Sequence, residues 1–404
     1  MINKQMVQFP LTYNDRIGGV IVGWGAHEMV ADEAKKAGIK NALITTTGLK
    51  GTGIVDEVIG ILKHHGISST VYDKVSSNPR DTEVYEAAKV FKDAGCDGVV
   101  SVGGGSSHDA GKGVRALASN PGANLCDMAA RVDPPWMEVI GRFKPNTIPQ
   151  VSVNTTAGTG AESTMGGAII DTKNRAKMFC VVPNLAPSCA LNDPALIRLM
   201  PSNLIAWTGF DAFSHAFESY VCKLSSPLNQ GAMIHVIKLI AENLREFAYN
   251  KMDYKACENI CWASCSAGVA LGFGGGVGIV HGLGHGLSVL YDIHHGLANA
   301  VVTLGIERYN QKCVPEKFAE MARAMGVDTT GMTKMEASDM WFYETERLLN
   351  DLGIKSGGLK EQFGMKKEDI PHIVKNQYEN DFARQGNPRD FNFNESVQLL
   401  EEQL

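Results

Sequence analysis

Through the first half of the chain, short apolar runs alternate with amphipathic stretches. Asn41 to Thr46, Ser69 to Asp73, Gly98 to Val102 and Gln150 to Asn154 are rich in β-branched residues and read as buried strands. Between them, Ile54 to His65 and Asp81 to Gly95 space their apolar residues three and four apart and read as helices. Strands alternating with helices predict an α/β fold with a parallel, Rossmann-like sheet. From Pro201 onward the pattern changes to long apolar-periodic segments with few β-rich runs, which predicts an all-helical second half. The boundary falls near Met200, giving an α/β domain over 1–200 and a helical domain over 201–404.

A length of 404 residues suits two domains with ample core. At 44% hydrophobic and 20% charged the composition is that of an ordinary globular protein. The net charge of -6 and the lack of any basic run argue against a nucleic-acid partner. Nine cysteines, an odd number without a C-x-x-C pair, argue against a disulfide framework and a cysteine zinc site, and point to a reducing compartment. Cys257, Cys261 and Cys265, repeating every four residues, read as one packed helix face. The amino-terminal stretch lacks an apolar run of signal-peptide length, so a cytoplasmic location is expected. The uncharged run from Trp262 to Tyr291 is long enough to cross a bilayer. Its glycines and two histidines favour a buried helical pair instead, so no membrane association is expected.

The chain's chemistry lies between Asp211 and His295. Six of the 11 histidines fall between 215 and 295. Asp211 and His215 stand four apart, so both reach one ion if the segment is helical. Phe213, Ala216, Phe217, Tyr220 and Val221 supply the apolar stripe of such a helix, and Glu218 falls near its His215 face, where it could orient a ligand. His281 and His285 repeat the spacing of four. His295 follows His281 by fourteen residues, roughly 20 Å along one straight helix, so a turn is required, best placed at Tyr291-Asp292-Ile293. Adjacent residues point apart, so at most one of His294 and His295 binds the ion. A carboxylate with several imidazoles on an apolar background is a ligand set for a divalent transition metal. His27, His64, His65, His108, His235 and His372 read as surface or core residues.

Two polar turns follow strands in the first half. Gly103-Gly104-Gly105-Ser106-Ser107-His108-Asp109 would let backbone N–H groups close on a phosphate at a helix amino terminus capped by Ser106 or Ser107. Asn154-Thr155-Thr156-Ala157-Gly158-Thr159-Gly160-Ala161-Glu162 offers hydroxyls with little bulk. Together they look like a clamp for a dinucleotide. Gly23-Trp24-Gly25 is a weaker candidate, because Glu28 stands where the third glycine of a Rossmann fingerprint belongs.

GGGSSHDAGK at 103–112, NTTAGTGAES at 154–163, TGFDAFSHAFE at 208–218, and HGLGH with HHGLANA between 281 and 300 together resemble the iron-containing (group III) alcohol dehydrogenases. The likeness runs nearly the whole chain, including Gly386-Asn387-Pro388-Arg389, and looks nearest to the NAD-dependent and nicotinoprotein methanol dehydrogenase branch. It implies a dehydroquinate synthase-like architecture with a dinucleotide-binding first domain and a metal-binding, catalytic second domain. It also implies reversible hydride transfer between nicotinamide and a small primary alcohol or aldehyde, with the metal as Lewis acid. By resemblance the metal ligands are Asp211, His215, His281 and His295, and His285 has a catalytic or positioning role. Gly103, Gly104, Gly105, Ser106 and Asp109 belong to the pyrophosphate loop, Thr155, Thr156 and Thr159 to the second cofactor loop, and Lys177 and Thr47 lie near the cofactor. NAD is expected ahead of NADP, although Thr45-Thr46-Thr47 replaces the acidic residue many relatives carry there. Fe2+ is expected ahead of Zn2+ or Mn2+, and a dimer or larger homo-oligomer is expected. His294 stands where many relatives have proline.

Other classes fit less well. Tyr85 and Lys89 have the spacing of short-chain dehydrogenases but precede the glycine loop, which makes them a solvated helix face. A dehydroquinate synthase-like lyase with bound NAD and metal needs several basic residues for its substrate, and the metal segments are poor in Lys and Arg. A helical metal domain that only builds oligomers would show no nicotinamide absorbance change with any alcohol or aldehyde.

Overall fold

The computed structural model describes residues 7–13, 16–131, 136–381 and 383–404, which form two compact units, Met1–Met200 and Pro201–Leu404. In the first unit the strands are β1 (Val7–Tyr13), β2 (Arg16–Val22), β3 (Asn41–Thr46), β4 (Ser68–Tyr72), β5 (Gly98–Gly103), β6 (Ala129–Ala130), β7 (Gln150–Asn154), β8 (Gly166–Asp171), β9 (Ala176–Val181) and β10 (Cys189–Asn192). The main sheet runs β1-β2-β10-β7-β5-β3-β4, parallel except for the β1/β2 hairpin. A small antiparallel sheet, β6-β9-β8, accompanies it.

Helices α1 (Val30–Lys36) and α2 (Ile54–His64) cover one face through Val30, Ala34, Val58 and Leu62 against Ile44, Val100 and Val151. Helices α3 (Asp81–Asp93) and α4 (Gly105–Ser119) cover the other through Val84, Phe91 and Val114, with Ile169 and Met178 of the small sheet. Burial on both faces explains why β5 and β7 are buried throughout, as parallel strands require. The chain reverses its order across the sheet between β3 and β5, and such switch points place ligands beyond the carboxyl ends of strands.

All four strands and both helices read from the pattern are present, with ends within about two residues. The β1/β2 hairpin, the β8/β9 hairpin and β10 are additional. Gly166-Gly167 opens β8, and β10 has only four residues, so neither carries a strand-length β-branched run.

The rest of the first unit's helices are α5 (Trp136–Gly141) and α6 (Pro194–Ile197). The second unit is helical, beginning with α7 (Ser202–Val221), α8 (Pro227–Tyr249), α9 (Tyr254–Leu271), α10 (Ile279–Tyr291) and α11 (His295–Gln311). Helix α7 is its central element, buried along most of its length and packed against α8, α9 and α11. Phe213 and Phe217 meet the fully buried Trp341 at ring-centroid distances of 6.3 and 5.2 Å, which leaves Asp211, His215 and Glu218 to a different side of the helix. Cys257, Cys261 and Cys265 are buried in α9, as one packed face requires. The uncharged run breaks between α9 and α10, and among the described residues no helix is long and apolar enough to cross a membrane.

Candidate metal and cofactor sites

The metal site starts from three helices. Asp211 and His215 lie on α7, His281 and His285 on α10, and His295 opens α11. The chain turns at Asp292, whose φ of 52° is left-handed, so the reversal inferred at Tyr291-Asp292-Ile293 occurs there. Gly296 permits the close approach of α11 to α7, because a Cβ there would lie 2.1 Å from the Trp207 carbonyl.

Asp211 Oδ1 stands 3.8 Å from His281 Nε2 and 3.5 Å from His295 Nε2. One ligand atom from each of Asp211, His281 and His295 lies within 4.8 Å of the others. Donors about 2.0–2.2 Å from a common tetrahedral centre stand roughly 3.4 Å apart, so this set fits a divalent cation. His215 lies outside that three-atom group, with its ring centroid 4.4 Å from that of His281. Burial, partly offset by Asp211, pushes the His215 imidazole down to about 4, so it is neutral near pH 7, the form a metal requires.

The surrounding groups aim these side chains. Glu218 accepts a hydrogen bond from Val280 N at 2.8 Å and pairs with Nδ1 of His281, which turns Nε2 of that ring toward Asp211. Glu218 thus orients His281 rather than its helix neighbour His215. Asn299 donates to Asp211 Oδ1 at 3.0 Å. His285 is not in the three-atom group. Its ring stacks on His295 with centroids 4.9 Å apart, and Nδ1 pairs with Asp381 Oδ2 at 2.5 Å. Burial opposes charge on Asp381, but His285 and the Ala383 N–H outweigh it and hold the carboxyl below its ordinary value. His294 faces Trp207, with centroids 5.5 Å apart.

In the first unit the two polar turns are in direct contact. Gly103 and Asn154 are register partners at the carboxyl ends of β5 and β7, and Thr155 N donates to Gly103 O at 3.0 Å. A Cβ on Gly104 would come within 2.7 Å of Thr156, and one on Gly105 within 2.6 Å of Thr159 Oγ1. These glycines are therefore needed for the space they leave to the second loop. Gly104 caps α4 in extended backbone without a side-chain bond. The cap expected from Ser106 or Ser107 is corrected accordingly, since both lie inside the first turn and the Ser106 hydroxyl donates to the Ser77 carbonyl. A helix amino terminus opened by glycines is suited to an anion. Thr47 follows β3, half-buried, and Lys177 is buried on β9. Asp109 accepts from Ala168 N at 3.0 Å and from Lys112 at 3.2 Å, which ties α4 to β8.

His108, read as surface or core, is a buried hub beneath these loops. It pairs with Ser101 at 2.8 Å and reaches Asn154 at 3.5 Å, and Asn154 in turn donates to the Thr156 carbonyl at 2.8 Å and to Asn192 at 2.7 Å. Glu162 is wholly buried, with Asn192 and Lys112 beside it. Burial pushes its carboxyl from 4.5 up to about 7, against the pull of Lys112. The folded protein thus holds this proton more tightly than the unfolded chain, so stability should fall as pH rises from about 4.5 to about 7 and then level. Glu162→Gln should remove that slope from thermal unfolding curves; an unchanged slope would contradict the assignment.

Comparison with known proteins decides what these sites belong to. Residues 18–194 match the family model described as iron-containing alcohol dehydrogenase, and residues 205–404 that of the Fe-containing alcohol dehydrogenase family, C-terminal. The chain is 32% identical to the methanol:N,N-dimethyl-4-nitrosoaniline oxidoreductase of Rhodococcus erythropolis, over 98% of this chain and 97% of that one. The chain belongs to the iron-containing alcohol dehydrogenase family. It is also 34% identical to the NAD-dependent methanol dehydrogenase of Bacillus methanolicus, over 95% and 97% of the two chains. The crystal structure of a 1,3-propanediol oxidoreductase superposes with a TM-score of 0.87 at 33% identity, covering 98% of this chain and 100% of that one. As a member of this family, including its methanol dehydrogenase branch, the chain has the dehydroquinate synthase-like fold and is a metal-dependent, NAD(P)-dependent alcohol dehydrogenase and aldehyde reductase acting on small alcohols or aldehydes. The matches do not support the lyase reading.

Proposed function

We propose that this iron-containing alcohol dehydrogenase interconverts a short primary alcohol and its aldehyde, with NAD preferred over NADP and Fe2+ preferred over Zn2+ or Mn2+. The observation that carries the reading is the cluster of donor atoms from Asp211, His281 and His295 within 4.8 Å of one another. His215 would complete the set as the fourth ligand. The cation, when bound, supplies Lewis acidity toward the substrate oxygen. Glu218 and Asn299 hold two of its ligands in register. The pyrophosphate of NAD would take the N–H groups opening α4, with Gly103, Gly104, Gly105, Ser106 and Asp109 on one side and Thr155, Thr156 and Thr159 on the other, and Thr47 and Lys177 nearby. The relative named NAD-dependent methanol dehydrogenase supports both the cofactor and a substrate as small as methanol. A homo-oligomer is part of this reading, and a reducing, cytoplasmic setting suits nine cysteines none of which is in a disulfide. Metal analysis of the purified protein, with an NAD and NADP scan over small alcohols and aldehydes, tests this reading. Stoichiometric iron with turnover of a short primary alcohol by NAD is expected; no bound metal, or no turnover, would refute it.

His285, poised by Asp381 and stacked on His295, is assigned the proton transfer. His285→Ala should lower kcat by about 10²-fold or more, the usual contribution of a positioned acid or base, while metal content and fold are retained. Full activity in that variant would remove the role.

A further inference from the structure

The segment Gly386-Asn387-Pro388-Arg389 lies outside the metal ligands and the cofactor loops, yet its residues bind the ends of three helices of the second unit. Gly386 meets the carboxyl end of α7: its carbonyl accepts from Lys223 N at 2.9 Å, and a Cβ on it would lie 2.8 Å from Cys222 Sγ. Asn387 joins the start of α10 to the last turn of α11. Its Oδ1 accepts from Ile279 N at 3.3 Å and from Asn310 Nδ2 at 3.1 Å, while its Nδ2 donates to Asn310 Oδ1 at 2.8 Å and to the Arg389 carbonyl at 2.7 Å. Arg389 donates to the Tyr309 carbonyl at 3.1 Å and lays its guanidinium 3.7 Å from the centre of the Tyr309 ring, again on α11. These are the helices that carry Asp211 and His215, His281, and His295.

Asn387 and Asn310 are both buried, and their amides pair reciprocally. A primary amide offers two donors and two lone pairs, so every hydrogen-bonding position of Asn387 is used and its side chain has one orientation. Such a satisfied buried network specifies an arrangement, where an apolar side chain would only fill the space. The arrangement it specifies is the start of α10. Ile279 stands two residues before His281, and the next N–H, that of Val280, goes to Glu218, which also pairs with Nδ1 of His281. A Cβ on Gly278 would fall 2.8 Å from both Asn387 Oδ1 and Glu218 Oε1, so the two side chains close on the helix start together. Glu218 sets the turn of the His281 ring, and Asn387 sets where the helix beneath that ring begins. We infer that Asn387 is a positioning residue for the metal centre, through which the 386–389 segment clasps α7, α10 and α11 in the one register that brings His281 to the ion. The inference rests on the reading of Asp211, His215, His281 and His295 as metal ligands.

The test uses the full-length protein, stripped of metal and titrated with Co2+, whose visible absorption bands report the geometry of its ligands. Asn387→Leu keeps the volume and removes the hydrogen bonds. It should weaken Co2+ by about tenfold or more, the usual cost of losing a group that orients a metal ligand, and should shift the visible bands of the Co2+-saturated protein. With iron restored, kcat should fall while KM for NAD changes far less. Arg389→Met loosens the outer end of the clasp and leaves the amide pair in place, so it should weaken Co2+ in the same direction by about threefold. Unchanged Co2+ affinity in Asn387→Leu, or weaker binding with unchanged bands, would overturn the positioning role. If Asn387→Leu does not fold, unchanged Co2+ affinity in Arg389→Met overturns it. Wild-type protein that binds no Co2+ would instead sink the metal reading, and this inference with it.

Discussion

His281→Ala is expected to lower kcat/KM by about 10³-fold or more and to leave the purified protein without a stoichiometric cation. The ring supplies one of three donor atoms gathered within 4.8 Å, and Glu218 and the backbone of α10 hold it there. Nothing near it could substitute. His215 packs on its face, and the nearest other imidazole on α10, His285, is paired to Asp381. Lewis-acid stabilisation of developing charge is worth several kcal/mol, and each 1.36 kcal/mol is a factor of ten in rate, which sets the scale. Asp211→Ala should behave alike, and so should prolonged treatment with a chelator, reversed by added metal. His294→Ala is the informative contrast, because that ring faces Trp207 and its removal should leave the cation in place. Metal content and initial rates measured together on the same preparations check this. Normal metal content in His281→Ala would break the assignment.

The second large effect is expected from a residue with no side chain. Gly105→Val should lower kcat/KM for NAD by about 100-fold, because its Cβ would begin 2.6 Å from Thr159 Oγ1, and the two cofactor loops must part to admit it. A misplacement of about 1 Å near a reacting group costs on this order. The loss should appear in NAD affinity, while metal content, governed by residues of the other unit, stays normal. Thr159→Ala removes the atom Gly105 abuts, so the double variant should recover part of the affinity lost in Gly105→Val. Equal NAD binding in wild type and Gly105→Val would show that the loops do not form the cofactor site.

Much of this was readable before any coordinates. The β3 and β5 strands announced themselves through the apolar stretches Ala42-Leu43-Ile44 and Val99-Val100, which burial on both faces of a parallel sheet demands. The α10/α11 reversal was forced by the distance from His281 to His295 along a straight helix. The edge hairpin and β8 to β10 were not read; β8 opens on two glycines and β10 has only four residues, so neither carries a run long enough to register. In the metal site, Glu218 was placed near the ligands as a residue that could orient one, and it holds His281, but which ring it meets was not readable. Helix spacing shows which face a side chain occupies, and only tertiary packing shows that α10, rather than α7, presents the ring it meets. Asp381 and Asn299 were missed for the same reason, lying 96 and 88 residues from the groups they hold. His108 was set aside as a lone histidine, and its role depends on Ser101 and Asn154, which only the strand register brings together. The serine cap of α4 was a reasonable local expectation that the tight seating of the second loop against Gly104 displaces.

The most direct test of the account is a crystal structure of the iron-loaded protein with anomalous data collected at the metal edge. The account predicts a single ion about 2.0–2.3 Å from a carboxylate oxygen of Asp211 and from one ring nitrogen each of His215, His281 and His295. An ion bound elsewhere, or one coordinated without these side chains, would contradict it.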